Sequence, residues 1–119
     1  KAIREAEAYP GPSLVIAYAP CVNHGIKGGM GRTQEQEKSA VQSGYWSLYR
    51  YNPALKDEGK NPFNLDSKDP TADFKEYLMS EVRYSSLFKL FPDSAEELFS
   101  QAAKDAMDRI ENYHRLADK

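Results

Sequence analysis

Cys21 and His24 stand three residues apart, at the spacing of half a tetrahedral zinc site. Thiolate sulfur and imidazole nitrogen suit a soft or borderline metal. The second half of such a site is missing. Cys21 is the only cysteine, and the only other histidine, His114, lies far along the chain. A closed zinc site from this chain alone is therefore not expected. Three readings stay open. The pair serves a zinc or other metal module; Cys21 is a buried, unreactive thiol and His24 a loop histidine bonded to backbone; or one thiolate completes a site whose other ligands lie elsewhere.

The residues that follow are rich in glycine: Gly25-Ile26-Lys27-Gly28-Gly29-Met30-Gly31-Arg32. Backbone N–H groups with Lys27 and Arg32 have the chemistry of an anion cradle. The run matches neither the Walker nor the dinucleotide fingerprint. Flexibility, or close passage of another backbone, explains the glycines more simply. No Ser/His/Asp arrangement is legible. Asp66 and Asp69 fall in a turn-rich segment, where aspartates cap or bend the chain. Arg50 and Tyr51 read as interface or surface residues.

These residues need elements to position them. Residues 2–8 favour helix, and Tyr9-Pro10-Gly11-Pro12 ends it. Leu14-Val15-Ile16-Ala17-Tyr18-Ala19 does not alternate, so it predicts a strand buried on both faces, as in a parallel sheet. Pro20 breaks it, and Cys21 opens the loop where open α/β sheets place their chemistry. A helix is predicted from Thr33, with Gln36 completing a capping box, to Gly44. Tyr45-Trp46-Ser47-Leu48-Tyr49-Arg50-Tyr51 alternates and predicts a strand, paired through a long loop with a short one around Phe63-Asn64-Leu65. Phe74, Tyr77, Leu78 and Val82 share a helical face. Pro92 separates off a last helix, with Asp93/Glu96 and Ser94/Glu97 as capping-box candidates. Its apolar stripe is Ala95, Leu98, Phe99, Ala102, Ala106, Ile110 and Tyr113. A doubly buried strand needs parallel neighbours, and no second βαβ unit is present. The chain, which opens at Lys1 inside a helical pattern, is thus expected to be a piece of a larger α/β domain with further strands before Lys1. A small α+β domain whose strand pairs with a second copy is the alternative.

Composition bounds the function. At 119 residues the chain is one domain at most. Its net charge of −2 divides into eight basic and six acidic residues in 1–60 and eight basic and twelve acidic in 61–119. That is no nucleic-acid profile. No apolar run approaches the ~20 residues of a membrane span, and no signal-peptide pattern opens the chain. A single cysteine excludes an internal disulfide.

Longer words carry more information. Ala19-Pro20-Cys21-Val22-Asn23-His24-Gly25, Gly44-Tyr45-Trp46, Leu48-Tyr49-Arg50-Tyr51-Asn52-Pro53, Glu58-Gly59-Lys60-Asn61-Pro62-Phe63, Leu65-Asp66-Ser67-Lys68 and Glu81-Val82-Arg83-Tyr84 occur in this order. With them the whole chain resembles the C-terminal part of the pyruvate:ferredoxin (flavodoxin) oxidoreductases, or pyruvate synthases. The resemblance implies an α/β fold: residues 1–44 close a thiamine-diphosphate-binding, Rossmann-like parallel-sheet domain, 45–70 form a small aromatic strand pair, and 71–119 a C-terminal helical region. It implies a large, homodimeric, cytoplasmic enzyme that converts pyruvate to acetyl-CoA and CO2 on thiamine diphosphate and Mg²⁺. Electrons pass through [4Fe-4S] clusters to ferredoxin or flavodoxin. Cys21 matches the family's ligand to the cluster nearest the thiamine. The family's Gly-Asp-Gly and Asn-Thr-Gly-Gly segments and three other cluster cysteines have no counterpart here, so no thiamine or magnesium ligand carries over. The 119 residues alone are expected to be inactive, with Cys21 a free thiol. They are expected either to self-associate or to expose the apolar flank of 14–19, the rest of the parent polypeptide being the natural partner. Neither nucleic acid nor membrane is expected as a partner. An independent protein-interaction module without catalysis is the rival from another class.

Overall fold

The computed structural model describes residues 1–118. A short helix α1 (Ala2–Ala8) opens it, and a 3₁₀ turn (Met30–Arg32) leads into α2 (Thr33–Gln42). Strand β1 (Tyr49–Tyr51), a second 3₁₀ turn (Pro53–Lys56) and strand β2 (Phe63–Leu65) follow. Helices α3 (Phe74–Ser80), α4 (Val82–Leu90) and α5 (Pro92–Ala117) complete it. The fold is mixed helix and strand. Its sheet has two antiparallel strands, with Tyr49 opposite Leu65, Arg50 opposite Asn64 and Tyr51 opposite Phe63.

The main departure from the sequence reading is residues 14–19. They form no strand, and Leu14 and Ile16 are 83% and 62% exposed. A strand exists only by hydrogen-bonding a neighbour. β1 and β2 already pair with each other, and among the described residues the 14–19 backbone has no backbone partner. The expected parallel sheet is therefore absent from the described residues. Only Tyr18 turns inward, its ring 5.6 Å from those of Tyr45 and Trp46.

The core gathers on α5. Ala40, Tyr77, Leu78 and Phe99 are buried together, with Tyr18, Tyr45, Trp46, Phe74, Tyr84 and Phe88 packed around them. The stripe read on α5 holds for Ala95, Phe99 and Ala106, which are buried, whereas Leu98 is exposed. The expected strand 45–51 shortens to its last three residues. Gly44, at φ +76°, turns the chain after α2, and the Trp46 N–H donates to Ala40 O at 3.0 Å, so Tyr45 and Trp46 go into the core instead. A second aromatic group, Tyr49, Phe63 and Tyr113, seats the hairpin on the far end of α5 with centroids 5.2–5.9 Å apart.

The expected capping boxes do not form. Thr33 lies inside the helix and its hydroxyl donates to Met30 O at 2.6 Å, while Gln36 is drawn away to Ser80 and Glu81. At α5, Pro92 takes the first helical position and Phe91 the cap, so neither Asp93 nor Ser94 serves. The helical face read from Phe74 to Val82 is interrupted. Glu81 leaves helical geometry (φ −89°, ψ 124°) and separates α3 from α4.

Candidate functional site

Cys21 lies on the turn that follows the apolar segment, and the Gly25 N–H donates to its carbonyl at 2.8 Å. It is a free, partly exposed thiol. The His24 ring faces it, with Nδ1 3.1 Å from Sγ. The buried-thiol reading thus fails for Cys21, and His24 binds the sulfur rather than backbone. The thiol is held down to about 7, first by the His24 ring and then by the backbone N–H groups of His24 and Asn23. The negative sulfur is favoured chiefly by its hydrogen bond with the His24 ring.

The glycine loop is fastened rather than loose. Ile26 is buried and forms an isolated antiparallel bridge with Glu81. Lys27 N–H donates to Ser80 O at 2.9 Å, and Val82 N–H donates to Gly25 O at 3.2 Å. Gly25 is called for by its left-handed backbone, at φ +77°, and not by close passage of another backbone, since a Cβ there would meet nothing within 4 Å. The anion cradle is not assembled: Arg32 pairs with Glu35 at 2.6 Å, while Lys27 is exposed.

Behind the loop lies a cluster that sequence spacing does not reveal. Glu81 is fully buried. Its Oε1 accepts from the Tyr18 hydroxyl at 2.7 Å, from Tyr77 at 3.2 Å and from Gln36 Nε2 at 3.3 Å. The Tyr18 and Tyr77 oxygens are 2.6 Å apart. Burial pushes both phenols well above the ordinary tyrosine range, which keeps them protonated as donors. Glu81 Oε2 lies 3.0 Å from Arg83 Nε as an ion pair without an aligned N–H···O bond. Arg83 also donates to the Tyr45 hydroxyl at 3.0 Å and covers the Tyr84 ring at 4.6 Å. The available signal was Glu81 within the segment Glu81-Val82-Arg83-Tyr84, a family word that carries the resemblance but says nothing of burial.

The remaining candidates are engaged elsewhere. His114 pairs with Asp69 at 2.9 Å, so it does not join His24. Asp66 receives a two-pronged bond from Arg50, at 2.6 and 2.7 Å, which draws its carboxyl below the usual range. Arg50 is a partly exposed residue tied to Asp66 and Glu5, and Tyr51 is exposed. Asn61 donates to the Leu116 and Ala117 carbonyls and closes the end of α5. Among the described residues, no three His, Cys, Asp or Glu side chains converge on a possible metal position, and no helix is long and apolar enough to cross a membrane.

No family model matches the chain. Individual proteins do. A pyruvate-flavodoxin oxidoreductase of Enterobacter agglomerans is 58% identical over 98% of the chain, and a pyruvate:ferredoxin oxidoreductase of Moorella thermoacetica is 59% identical over 99%. A mitochondrial pyruvate dehydrogenase [NADP(+)] of Euglena gracilis is 46% identical over 99% of the chain and is matched over 6% of its own length. The chain spans about a tenth of the length of the first two relatives. The resemblance read from the sequence thus stands: nearly the whole chain matches a tenth-length stretch of the pyruvate-flavodoxin and pyruvate:ferredoxin oxidoreductases.

Proposed function

We propose that this chain is the thiolate-bearing segment of a longer pyruvate oxidoreductase, with Cys21 as one ligand of a [4Fe-4S] cluster. The observation that carries this reading is the placement of Cys21. Its sulfur is accessible, lowered to about 7, bonded to the His24 ring and set on a loop fastened at Ile26. Iron–sulfur clusters take thiolate ligands, commonly four. One sulfur fits as a single ligand, with the other three supplied by other parts of the longer polypeptide.

When bound, the cluster supplies one-electron storage and transfer. The chain's own residues hold and tune it. Cys21 Sγ would bind iron. The backbone N–H groups of Asn23 and His24, which favour the thiolate, would withdraw electron density from the sulfur and so raise a cluster's potential. The His24 ring screens the sulfur on one side. The Gly25–Val82 and Lys27–Ser80 bonds keep the turn from yielding as charge changes. No described residues gather into a Mg²⁺ site, so no step of thiamine chemistry is assigned to this chain.

The rest of the reading follows the relatives. The longer enzyme converts pyruvate and coenzyme A to acetyl-CoA and CO2 and passes two electrons to ferredoxin or flavodoxin. It works as a cytoplasmic homodimer, and residues 14–19 become a strand inside its thiamine-diphosphate domain. Their apolar character and their lack of a backbone hydrogen-bonding partner among the described residues support that insertion. The 119 residues alone turn over no pyruvate. The test is Cys21→Ala in the longer enzyme, read by iron content and low-temperature EPR beside pyruvate-dependent dye reduction. Loss of one cluster signal and of most dye reduction is expected. A full complement of clusters with normal electron transfer would overturn the assignment.

A further inference from the structure

The loop that carries Cys21 has two stems, and both end at the break between α3 and α4, where Glu81 sits. On the near side, Tyr18 precedes Cys21 by three residues and donates to Glu81 Oε1 at 2.7 Å. On the far side, Ile26 bridges to the Glu81 backbone, with Gly25 O held by Val82 N–H and Lys27 N–H held by Ser80 O. Glu81 interrupts α3 and α4, although seven-residue α3 and nine-residue α4 would otherwise merge. A buried carboxyl is costly unless several donors meet it. Here Tyr18, Tyr77 and Gln36 do so, which brings the near stem, α3 and α2 to one point.

We infer that Glu81 is a positioning residue that clamps both stems of the Cys21 loop and so fixes where the sulfur sits. Its side chain holds the stem before Cys21, and the break in the helix at Glu81 frees the Ser80 carbonyl and the Val82 N–H on either side of it to hold the stem after it. The arrangement explains why the helix breaks at this residue: a continuous helix would use the Ser80 carbonyl and the Val82 N–H that meet Lys27 and Gly25. The functional weight of the clamp rests on Cys21 being a cluster ligand; the clamp itself does not.

The test follows three amides that report the far stem, those of Gly25, Lys27 and Val82, by hydrogen exchange in the 119-residue chain. Tyr18→Phe removes one hydroxyl from the near stem without leaving a large cavity. Loss of a hydrogen bond to a carboxyl is expected to speed exchange at these amides by about tenfold or more. The Ala106 amide in α5 is expected to change less than about twofold. Glu81→Gln keeps an oxygen acceptor for Tyr18 and is expected to stay within about threefold of the parent at the same amides. Tyr84→Phe alters a hydroxyl bonded to Tyr45, away from the loop, and is expected to leave them unchanged. If Tyr18→Phe left the three amides at parental rates, or sped Ala106 as much as them, the clamp would be overturned in favour of a purely structural cluster. No iron enters the measurement. A failed clamp therefore leaves the Cys21→Ala experiment standing, and a failed ligand assignment leaves the exchange result standing.

Discussion

At the residue scale the chemistry concentrates on Cys21 and its donors. An ordinary thiol ionises near ~8.5. Here the His24 ring, then the His24 and Asn23 N–H groups, bring it to about 7. The rate of Cys21 alkylation by iodoacetamide should therefore rise with a midpoint near 7. His24→Ala should move that midpoint upward, toward the ordinary thiol, because the largest single cause is gone. The sign is that of a depressed acid: the fold favours the thiolate, and this preference is lost as pH falls through about 7. A midpoint indifferent to His24 would remove the ring from the account. Cys21 was legible as the chain's lone cysteine at the close of its most apolar run. Its interaction with His24 was half legible, since the spacing that suggests a shared metal equally suits a direct hydrogen bond. The burial of Glu81 was not legible. A buried carboxyl is defined by what converges on it, and Tyr18, Gln36 and Tyr77 come from three separate stretches.

At the scale of elements, local signals held where the element satisfies itself and failed where it needs a neighbour. The first helix, the hairpin with its long loop and the stripe of the last helix were readable from periodicity and breakers. The 14–19 strand was not, because strand geometry is a property of a pair. The capping boxes failed because Gln36 had a buried carboxyl to meet and Pro92 fits the first helical turn. Gly44 is a position where the sequence signal and the packing agree. At φ +76° it ends α2, and a Cβ there would lie 2.7 Å from Ile110 Cδ1 and 2.9 Å from Pro70 Cγ. Gly44→Ala should cost on the order of 2–4 kcal/mol from left-handed strain plus overpacking, read by urea denaturation. An effect within ~0.5 kcal/mol would mean that α5 yields freely at Ile110. The hairpin depends on a different tie. Arg50 on β1 grips Asp66 just beyond β2 and reaches Glu5 on α1 at 3.3 Å. Arg50 draws the Asp66 carboxyl down, so the pair stabilises above the unfolded value near ~3.9 and is lost as pH falls through the folded value. Both side chains are about a third exposed, which limits the tie to ~1 kcal/mol. Asp66→Asn should remove that much at neutral pH and flatten the acid limb of the stability curve below about pH 4.

At the scale of the whole molecule, one face is unfinished. Leu14 stands in solvent, and the exposed Val15, Ile16, Ile3 and Leu48 line an open trough of about 670 Å³ that also reaches Val41 and Trp46. Apolar area carries roughly 25 cal/mol per Å² of drive to leave water. The 14–19 backbone adds unpaired N–H and C=O groups, the features of an open sheet edge. Aromatic packing around Tyr18 holds this segment at one end, and the Ser13 hydroxyl fastens the other to Ala6 O at 2.9 Å. The face is therefore presented rather than frayed. Two consequences separate by context. The 119 residues alone should self-associate with rising concentration, seen by sedimentation velocity, and Ile16→Lys should shift them toward monomer without lowering helix content. In a longer protein that inserts 14–19 between other strands, the same charge would be buried without a partner, and Ile16→Lys should instead cost several kcal/mol and reduce soluble yield. A chain that stays monomeric throughout, together with a longer enzyme indifferent to Ile16→Lys, would show that this face is covered by nothing and would sink its reading as an inner strand.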